Sequence, residues 1–208
     1  MMTETPETVQ LIEQAQAGDR SARHGLLDRH RDRLRRMVAV RIDRRLAARI
    51  DPSDVVQEAL ADAVARMSDY LRDRPLPFYP WLRRLAWDRL VDLHRHHVRA
   101  QRRSVDREEP EGPDLPDESV AALVERLSAK GTSPSGNLLR RELRDRVRAA
   151  LDALEPHDRE VLALRYLELL TTAETAAVLG IGEGAVKSRL MRAILRLRDR
   201  LDEAGEDG

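Results

Sequence analysis

The side chains best suited to specific chemistry in this sequence follow a glycine-bearing turn, Gly180-Ile181-Gly182. Glycine supplies the backbone freedom that a tight turn between two helices requires. Lys187, Ser188 and Arg192 lie soon after the turn, and side chains of these types donate hydrogen bonds to phosphate oxygens and base edges. The pattern therefore predicts a helix-turn-helix unit over 172–201 that reads duplex DNA. The alternative from the turn alone is an ordinary amphipathic helix at the end of a helical domain.

The helix after this turn has one apolar face and one polar face. Its apolar residues recur at steps of three and four, which predicts a buried stripe made of Val186, Leu190, Ala193, Ile194, Leu197 and Leu201. At about 100° per residue, the opposite face carries Gly184, Ser188, Met191, Arg192 and Leu195. Glu183 places a negative charge at the helix N-terminus, where the helix dipole favours it. The candidate DNA contacts are Glu183, Gly184, Lys187, Ser188, Arg189 and Arg192.

The composition is typical of a soluble, charge-rich helical protein. Of the 208 residues, 36% are charged and only 3% are aromatic. The core must therefore be aliphatic, and a β-sandwich is disfavoured. The sequence has no cysteine, which excludes a disulfide framework and a thiolate zinc site. The polar N-terminal segment and the lack of a long apolar run favour a cytoplasmic location.

The formal net charge is zero, but the charge is unevenly distributed. It is +6 over residues 1–103, −5 over 104–136 and −1 over 137–208. The acidic, proline-containing residues 106–118 cannot form a core, which indicates a linker. We therefore expect an all-α fold with two small helical domains, over 1–103 and 137–208, joined by an acidic flexible linker. A short helix is predicted over 119–127, and its role stays open.

Helices are predicted over 9–17 and 22–40, separated by a turn in which Asp19 or Ser21 caps the second helix. Asp51-Pro52 indicates another helix start, since proline suits the first helical position. The helix over 55–67 has an apolar face made of Val56, Ala59, Leu60, Ala63, Val64 and Met67. Its opposite face carries Asp54, Gln57, Glu58 and Asp62. Taken alone, such a polar face is typical of a solvated surface.

A loop with three prolines is predicted over 70–80, and it carries Phe78 and Tyr79. The helix after it, over 81–98, is rich in arginine. Aromatic rings beside a cationic helix suit single-stranded nucleic acid, because bases stack on the rings while phosphates meet the cations. The competing interpretation places Trp81 and Trp87 in the core, and for Trp81 we adopt it. No metal or other cofactor is predicted, because the histidines of this helix have no acidic or thiolate partner at ligand spacing.

The C-terminal part is predicted to hold four helices within 138–201. The first covers 138–154, the second begins at Pro156, and the third covers 173–179 and ends at Gly180. The fourth is the helix after the glycine turn.

Four segments, in this order, resemble the extracytoplasmic-function (ECF) sigma factors, the two-domain class of bacterial transcription initiation factors. They are AQAGDRSA, DPSDVVQEALADA, FYPWLRRLAWDRLVDLHR and the long C-terminal segment that begins LDALEPHDREVLALRY. Together with the acidic linker, they span nearly the whole chain. The chain departs from the family pattern at Trp87-Asp88, where the family commonly has Arg-Asn, and at Leu60 and Val64, where the family often has an aromatic residue.

The resemblance implies that 1–103 is sigma region 2 and 137–208 is sigma region 4. The implied contacts with the beta-prime clamp of core RNA polymerase are Asp54, Gln57, Glu58 and Asp62. The stretch 72–99 is implied to open the minus-ten promoter element and to hold a flipped base. The implied minus-ten contacts are Phe78, Tyr79, Arg83, Arg84, Asp88 and Arg95. The 172–201 unit is implied to read the minus-thirty-five duplex, while the linker runs through the polymerase toward the active cleft.

The partners that the resemblance implies are core RNA polymerase, through its beta-prime clamp and beta flap, and promoter DNA in duplex and melted form. An anti-sigma factor holds many relatives inactive, and whether this chain has one stays open. No membrane insertion is implied.

Two other classes of function are compatible with parts of the sequence. A stand-alone helix-turn-helix regulator would use 1–103 for ligand binding or dimerisation, but it has no reason to combine an acidic docking helix with a basic helix beside aromatic residues. An enzyme is disfavoured because the sequence has no phosphate-binding glycine loop, metal-ligand set or nucleophile–base arrangement in a recognisable context. The predicted function is therefore that of a sigma factor.

Overall fold

The computed structural model describes residues 4–42, 50–101, 116, 119, 121–123 and 146–206. Regular secondary structure in these ranges is entirely helical, which confirms the predicted all-α fold. The chain divides into two compact units, Met1–Asp114 and Leu115–Gly208. The boundary between the units falls within the predicted linker, most of which lies outside the described residues.

The described residues of the first unit form the helices α1 (Pro6–Gln16), α2 (Arg20–Arg41), α3 (Pro52–Asp73) and α4 (Phe78–Gln101). Helix α1 packs on α2 and α3, α2 packs on α3 and α4, and α3 packs on α4. The apolar stripes of the helices meet in a single core. Its fully buried members include Ile12, Leu26, Leu34, Met37, Leu82 and Leu90. The core is therefore mainly aliphatic, as the composition predicts.

Two aspartates cap helices of this unit. The Asp19 carboxylate accepts hydrogen bonds from the Ser21 and Ala22 backbone N–H groups, at 2.7 and 3.3 Å, and so caps α2. The Asp51 carboxylate accepts from the Ser53 N–H at 2.7 Å, with Pro52 in the first turn of α3. An acceptor at this position satisfies backbone donors that have no partner inside the helix. The helix start predicted at Asp51-Pro52 is confirmed, whereas α2 begins at Arg20, two residues before its predicted start, with Asp19 as its cap.

The connection between α3 and α4 is shorter than predicted. Helix α3 continues to Asp73 and α4 begins at Phe78, so the predicted loop over 70–80 is wrong and only residues 74–77 lie between the helices. Pro80 lies in the first turn of α4, where a missing N–H costs no helical hydrogen bond. The predicted apolar face of α3 is confirmed except at Val64, whose side chain is exposed.

The second unit contains a helix over 146–152 (α5), then α6 (Pro156–Leu162), α7 (Thr172–Leu179) and α8 (Glu183–Glu206). A π-helical turn, Ala163–Leu167, continues directly from α6 and was not predicted. The first part of the predicted helix over 138–154 lies outside the described residues. Helix α8 packs on α6 and α7. Within the ranges that the structure covers, no helix has both the length and the apolar character needed to cross a membrane.

Candidate DNA and polymerase interfaces

The turn between α7 and α8 has the geometry that its residues predict. The backbone N–H of Glu174 donates to Thr171 Oγ1 at 3.1 Å, and the Glu174 carboxylate accepts from the Thr171 N–H at 2.8 Å. This reciprocal capping fixes the start of α7. Gly180 ends the helix in the left-handed conformation, with φ of 65°, which is costly for residues with a Cβ. The two helices are thus held in a helix-turn-helix by local contacts.

Helix α8 separates apolar from polar side chains as predicted. Val186, Ala193 and Leu197 are buried, and the other residues of the predicted stripe are half-buried. The residues predicted on the opposite face are all exposed: Gly184, Ser188, Met191, Arg192 and Leu195. The early turns of α8 therefore present a continuous surface to solvent.

Five of the six candidate DNA contacts lie in the open. Glu183, Gly184, Lys187, Ser188 and Arg192 are exposed, whereas Arg189 is half-buried. The Arg192 Nε donates a hydrogen bond to the Ser188 backbone carbonyl at 3.3 Å, which holds the guanidinium along the helix surface. The structure thus brings these residues together on the exposed surface of the early turns of α8, where Lys187, Ser188 and Arg192 provide side-chain hydrogen-bond donors.

An ion pair that the sequence analysis did not predict fixes α8 against α6. Arg196 of α8 forms an ion pair with Asp158 in the first turn of α6, and the Asp158 side chain is only 2% exposed. His157 Nε2 also lies 3.4 Å from the Asp158 carboxylate. Because a buried carboxylate is costly without a partner, this pair constrains how α8 is oriented on its support.

The polar face of α3 is exposed as predicted. Asp54, Gln57, Glu58 and Asp62 are all exposed, and their carboxylates make this face acidic. Glu58 forms an ion pair with Arg89 of α4. The exposed Val64 lies near the end of the same face and adds an apolar side chain to it.

The prediction that Phe78 and Tyr79 are exposed in a loop is wrong. Phe78 is 0% exposed and Tyr79 is 2% exposed. Both rings contact His30, with centroids 5.4 and 5.6 Å away. Phe78 also packs on Tyr70, whose ring stacks on Trp81 at a centroid distance of 4.4 Å. These rings form an aromatic part of the core and have no free face for a base in this conformation, whereas the predicted core position of Trp81 is confirmed.

The candidate cations of α4 differ in exposure. Arg83 is 5% exposed, with its guanidinium 5.6 Å from the Trp87 ring centroid, so it lies inside the unit. Arg84, Asp88 and Arg95 are exposed. Their spacings of four and seven residues place them on one face of the helix. This face, rather than the aromatic rings, is the surface that α4 offers to a ligand.

No group of three or more histidine, aspartate or glutamate side chains suited to a metal ion occurs in the part of the chain that the structure describes. The candidate binding surfaces of the two units are exposed helix faces. They are the polar face of α3, the 84–95 face of α4 and the early turns of α8.

Two helical units, the second with a helix-turn-helix, form the architecture expected of a DNA-binding transcription factor. The family model described as sigma-70, region 4 matches residues 144–197. The chain is 30% identical over 196 residues to the ECF RNA polymerase sigma factor SigD of Mycobacterium tuberculosis (strain ATCC 25618 / H37Rv). This alignment covers 94% of the present chain and 84% of SigD. It is 28% identical over 183 residues to the ECF RNA polymerase sigma-E factor of Escherichia coli (strain K12), with 88% of each covered.

The fold is similar to that of a chain in the solved structure of CnrH in complex with the cytosolic domain of CnrY. The TM-score is 0.52 and the sequence identity 26%, with 95% of this chain and 99% of that chain covered. The chain belongs to the ECF sigma factors of the sigma-70 family. It is therefore a transcription initiation factor, as the sequence analysis predicted.

Proposed function

We propose that this ECF sigma factor directs core RNA polymerase to its promoters through three separate helix faces. The observation that carries the proposal is the exposed surface of α8, where Lys187, Ser188 and Arg192 follow the left-handed turn at Gly180 and lie opposite a buried stripe. This arrangement suits insertion of a helix into a major groove. The factor dissociates from polymerase and performs no catalysis itself.

The early turns of α8 read the minus-thirty-five duplex. Exposed Lys187 and half-buried Arg189 flank the face and meet phosphates, whereas Ser188 and Arg192 lie nearer its centre and meet base edges. The same unit, sigma region 4 over 137–208, contacts the beta flap of the polymerase.

The exposed face of α4 binds the minus-ten element during melting. Arg84 and Arg95 provide cations for the non-template phosphates, and Asp88 accepts from a base such as cytosine. Phe78, Tyr79 and Arg83 are buried, so they support this face from inside. Stacking on a base would require their rings or guanidinium group to become exposed first. The base itself is held near the turn between α3 and α4.

The polar face of α3 docks on the beta-prime clamp. Asp54, Gln57, Glu58 and Asp62 are exposed together, and acidic side chains complement a cationic partner surface. The docking face and the minus-ten face belong to one unit, sigma region 2 over 1–103, so polymerase binding brings the minus-ten face to the DNA.

The remaining parts of the proposal concern the linker and the cellular setting. The acidic stretch 104–136 runs through the polymerase between the two DNA sites, and the protein acts in the cytoplasm. CnrH is solved in complex with the cytosolic domain of CnrY, and we infer that the present factor also binds a partner protein, which acts as an anti-sigma factor.

Co-purification with core RNA polymerase, followed by transcription from a random promoter library, tests the proposed function. We expect the chain to bind core enzyme and to select promoters with two separated sequence blocks. Arg192→Ala should relax only the upstream block and Arg84→Ala should impair the downstream one. A chain that binds duplex DNA specifically but never binds core enzyme would instead be a stand-alone regulator.

A further inference from the structure

The carboxylate of Glu4 connects the two ends of the turn between α3 and α4. One oxygen, Oε2, lies 2.8 Å from Nη2 of Arg74, the first residue of the turn. The other oxygen, Oε1, accepts a hydrogen bond from the Phe78 backbone N–H, the first of α4, at 2.6 Å. The Glu4 side chain is 5% exposed, whereas that of Arg74 is 30% exposed, so the carboxylate itself is largely removed from water. A residue near the start of the chain thus bridges the 74–77 turn.

Each end of this turn needs an external partner. Arg74 has φ of 40° and ψ of 58°, a left-handed conformation that is costly for a residue other than glycine. At the other end, the residue before α4 is Pro77, whose side chain has no oxygen to cap the first N–H groups of the helix. Glu4 supplies an anion to Arg74 at the start of the turn, and it caps the N–H of Phe78, the residue that follows the turn.

The middle of the turn is held by a further hydrogen bond. The Tyr70 hydroxyl donates a hydrogen bond to the Leu76 carbonyl at 3.1 Å. Burial raises the pKa of Tyr70, so the hydroxyl keeps its proton and remains a donor. With Glu4 in place, the turn is therefore fixed at its start, middle and end.

Glu4 is itself held in place by the start of α1. The next residue, Thr5, caps α1: its backbone carbonyl accepts from the Val9 N–H at 3.0 Å, and its hydroxyl lies 2.9 Å from the Thr8 hydroxyl. This cap limits the freedom of the backbone at Glu4. The contacts with Arg74 and Phe78 consequently require little further ordering of the chain.

We propose that Glu4 is a positioning residue for the 74–77 turn and, through the turn, for the non-template strand of the minus-ten element. The inference rests on the proposed function, in which the turn and α4 hold this strand. Loss of the carboxylate leaves Arg74 without its ion pair and the buried Phe78 N–H without its acceptor. The turn then samples other conformations, and DNA must order it during melting.

Glu7 offers a matched control from the same segment. Its carboxylate forms an ion pair with Arg29 at 3.0 Å, but both side chains are exposed and neither touches the turn. Exposed pairs of this kind contribute little to stability. Glu4→Ala and Glu7→Ala therefore each remove one carboxylate from the N-terminal segment, and only the first disturbs the 74–77 turn.

The experiment compares wild type, Glu4→Ala, Glu4→Gln and Glu7→Ala as full-length chains. It also includes the double variant of Glu4→Ala with Arg74→Gly, and the variants Arg84→Ala and Arg95→Ala. Amide hydrogen exchange of the free protein reports the turn directly. Holoenzyme reconstituted with core polymerase then reports the rate of promoter opening, through a fluorescent base in the non-template minus-ten strand of a library-selected promoter. Thermal unfolding and core-polymerase affinity are measured alongside for every variant.

We expect Glu4→Ala to raise exchange at the Phe78 amide and to slow promoter opening, each by about tenfold, the scale of one lost charge-assisted hydrogen bond. Glu4→Gln should have a smaller effect, because the amide oxygen still accepts from Phe78. Glu7→Ala should match wild type, and Arg74→Gly should partly rescue Glu4→Ala because glycine adopts the left-handed conformation freely.

Unchanged exchange at Phe78 in Glu4→Ala would overturn the inference. Slower promoter opening that is fully explained by weaker binding to core polymerase or by unfolding of the variant would also overturn it. If Arg84→Ala and Arg95→Ala open the promoter normally, the proposed minus-ten face is wrong. If those two variants fail while Glu4→Ala opens the promoter at the wild-type rate, only the positioning role of Glu4 is wrong.

Discussion

Glu58 and Arg89 form an ion pair that joins α3 to α4. The two side chains are 50% and 38% exposed, so the pair lies at the surface, within the proposed polymerase-docking face. Surface pairs contribute little to folding stability because water screens them. Glu58 therefore has two available partners, Arg89 within the chain and a cation on the clamp, and substitutions can separate these two contacts.

The first prediction concerns polymerase docking. Glu58→Arg should weaken binding to core polymerase by roughly tenfold or more, because it places a cation opposite the proposed cationic surface of the clamp. The helical fold should persist, since an exposed pair is lost. The double variant Glu58→Arg with Arg89→Glu restores an internal pair of reversed sign, yet it should still bind core enzyme weakly.

Affinity is measured by titration of labelled chain with core polymerase, and circular dichroism checks the fold. Recovery of wild-type affinity in the double variant would mean that Glu58 acts only through Arg89. Asp62→Arg on the same face provides a second reading, because it should weaken binding without disturbing the Glu58–Arg89 pair.

The second prediction concerns groove reading by α8. Lys187→Ala should lower affinity for every duplex alike and reduce the salt dependence by about one phosphate contact. Arg192→Ala should cost roughly 1–3 kcal/mol at one base pair and relax its identity. Arg198, exposed on a later turn of α8 and paired with Asp199 at 3.0 Å, provides a control whose replacement by alanine should change neither property.

Matched and singly mismatched minus-thirty-five duplexes, titrated at several salt concentrations, distinguish these outcomes. Equal weakening of all duplexes by Arg192→Ala would reassign this residue to phosphate contact. If neither Lys187→Ala nor Arg192→Ala has an effect, α8 is not the helix that reads DNA.

The third prediction concerns the turn before α8. Gly180→Ala should destabilise the second unit by roughly 1–2 kcal/mol, because alanine is disfavoured in the left-handed conformation. Apart from the neighbouring backbone, no atom lies within 4 Å of a Cβ added at Gly180, so the cost comes from the backbone conformation. Gly182 has equal space but no positive φ, and Gly182→Ala should cause no comparable loss. Amide exchange across 146–206 measures both effects, and similar protection in the two variants would contradict this explanation.

The fourth prediction concerns pH. The hydrogen bond from the Ser53 backbone N–H holds the pKa of Asp51 below its usual range, so the charged carboxylate stabilises the folded state. This contribution is complete above the pKa of the unfolded chain and is lost as pH falls through the lower pKa of the folded one. Asp51→Asn keeps a neutral acceptor at the cap and lacks this titration.

Urea unfolding of wild type and Asp51→Asn across a pH series measures the difference directly. The difference in free energy of unfolding should be constant above about pH 5 and should change only in more acidic solution. A difference that varies between neutral pH and pH 5 would exclude Asp51 as its source.

The fifth prediction concerns the linker. Residues 104–118 carry too little apolar surface to bury, so a protease at limiting dose should cut there first. Mass spectrometry should find two resistant fragments near 1–103 and 137–208. A first cut inside α1 to α4, or inside α6 to α8, would contradict this division of the chain.

Much of the fold could be predicted because local patterns determine it. Asp51 fixes a helix start through its side-chain cap, and Pro52 and Gly180 fix helix ends through their backbone preferences. The stripe at Val186 and Ala193 follows from helical periodicity. The exposed donors of α8 follow from the same periodicity. For these features, the residues that determine the structure are neighbours in the sequence.

The errors arise where distant residues decide the outcome. Prolines at 75, 77 and 80 suggest a loop, but the packing of Phe78 against Tyr70 draws that ring into the core. The contacts of Glu4 with Arg74 and Phe78 join residues 70 and 74 positions apart, and no local pattern indicates them. The ion pairs Glu58–Arg89 and Asp158–Arg196 are undetectable for the same reason.

The stacking of Trp81 on Tyr70 has an optical consequence. The chain has two tryptophans, and both lie in α4: Trp81 inside the aromatic cluster and Trp87 half-buried, near the guanidinium groups of Arg41 and Arg83. Selective excitation of the indole groups therefore gives emission from the first unit alone, because the second unit has no tryptophan. Unfolding of the first unit can therefore be followed in the unlabelled free protein.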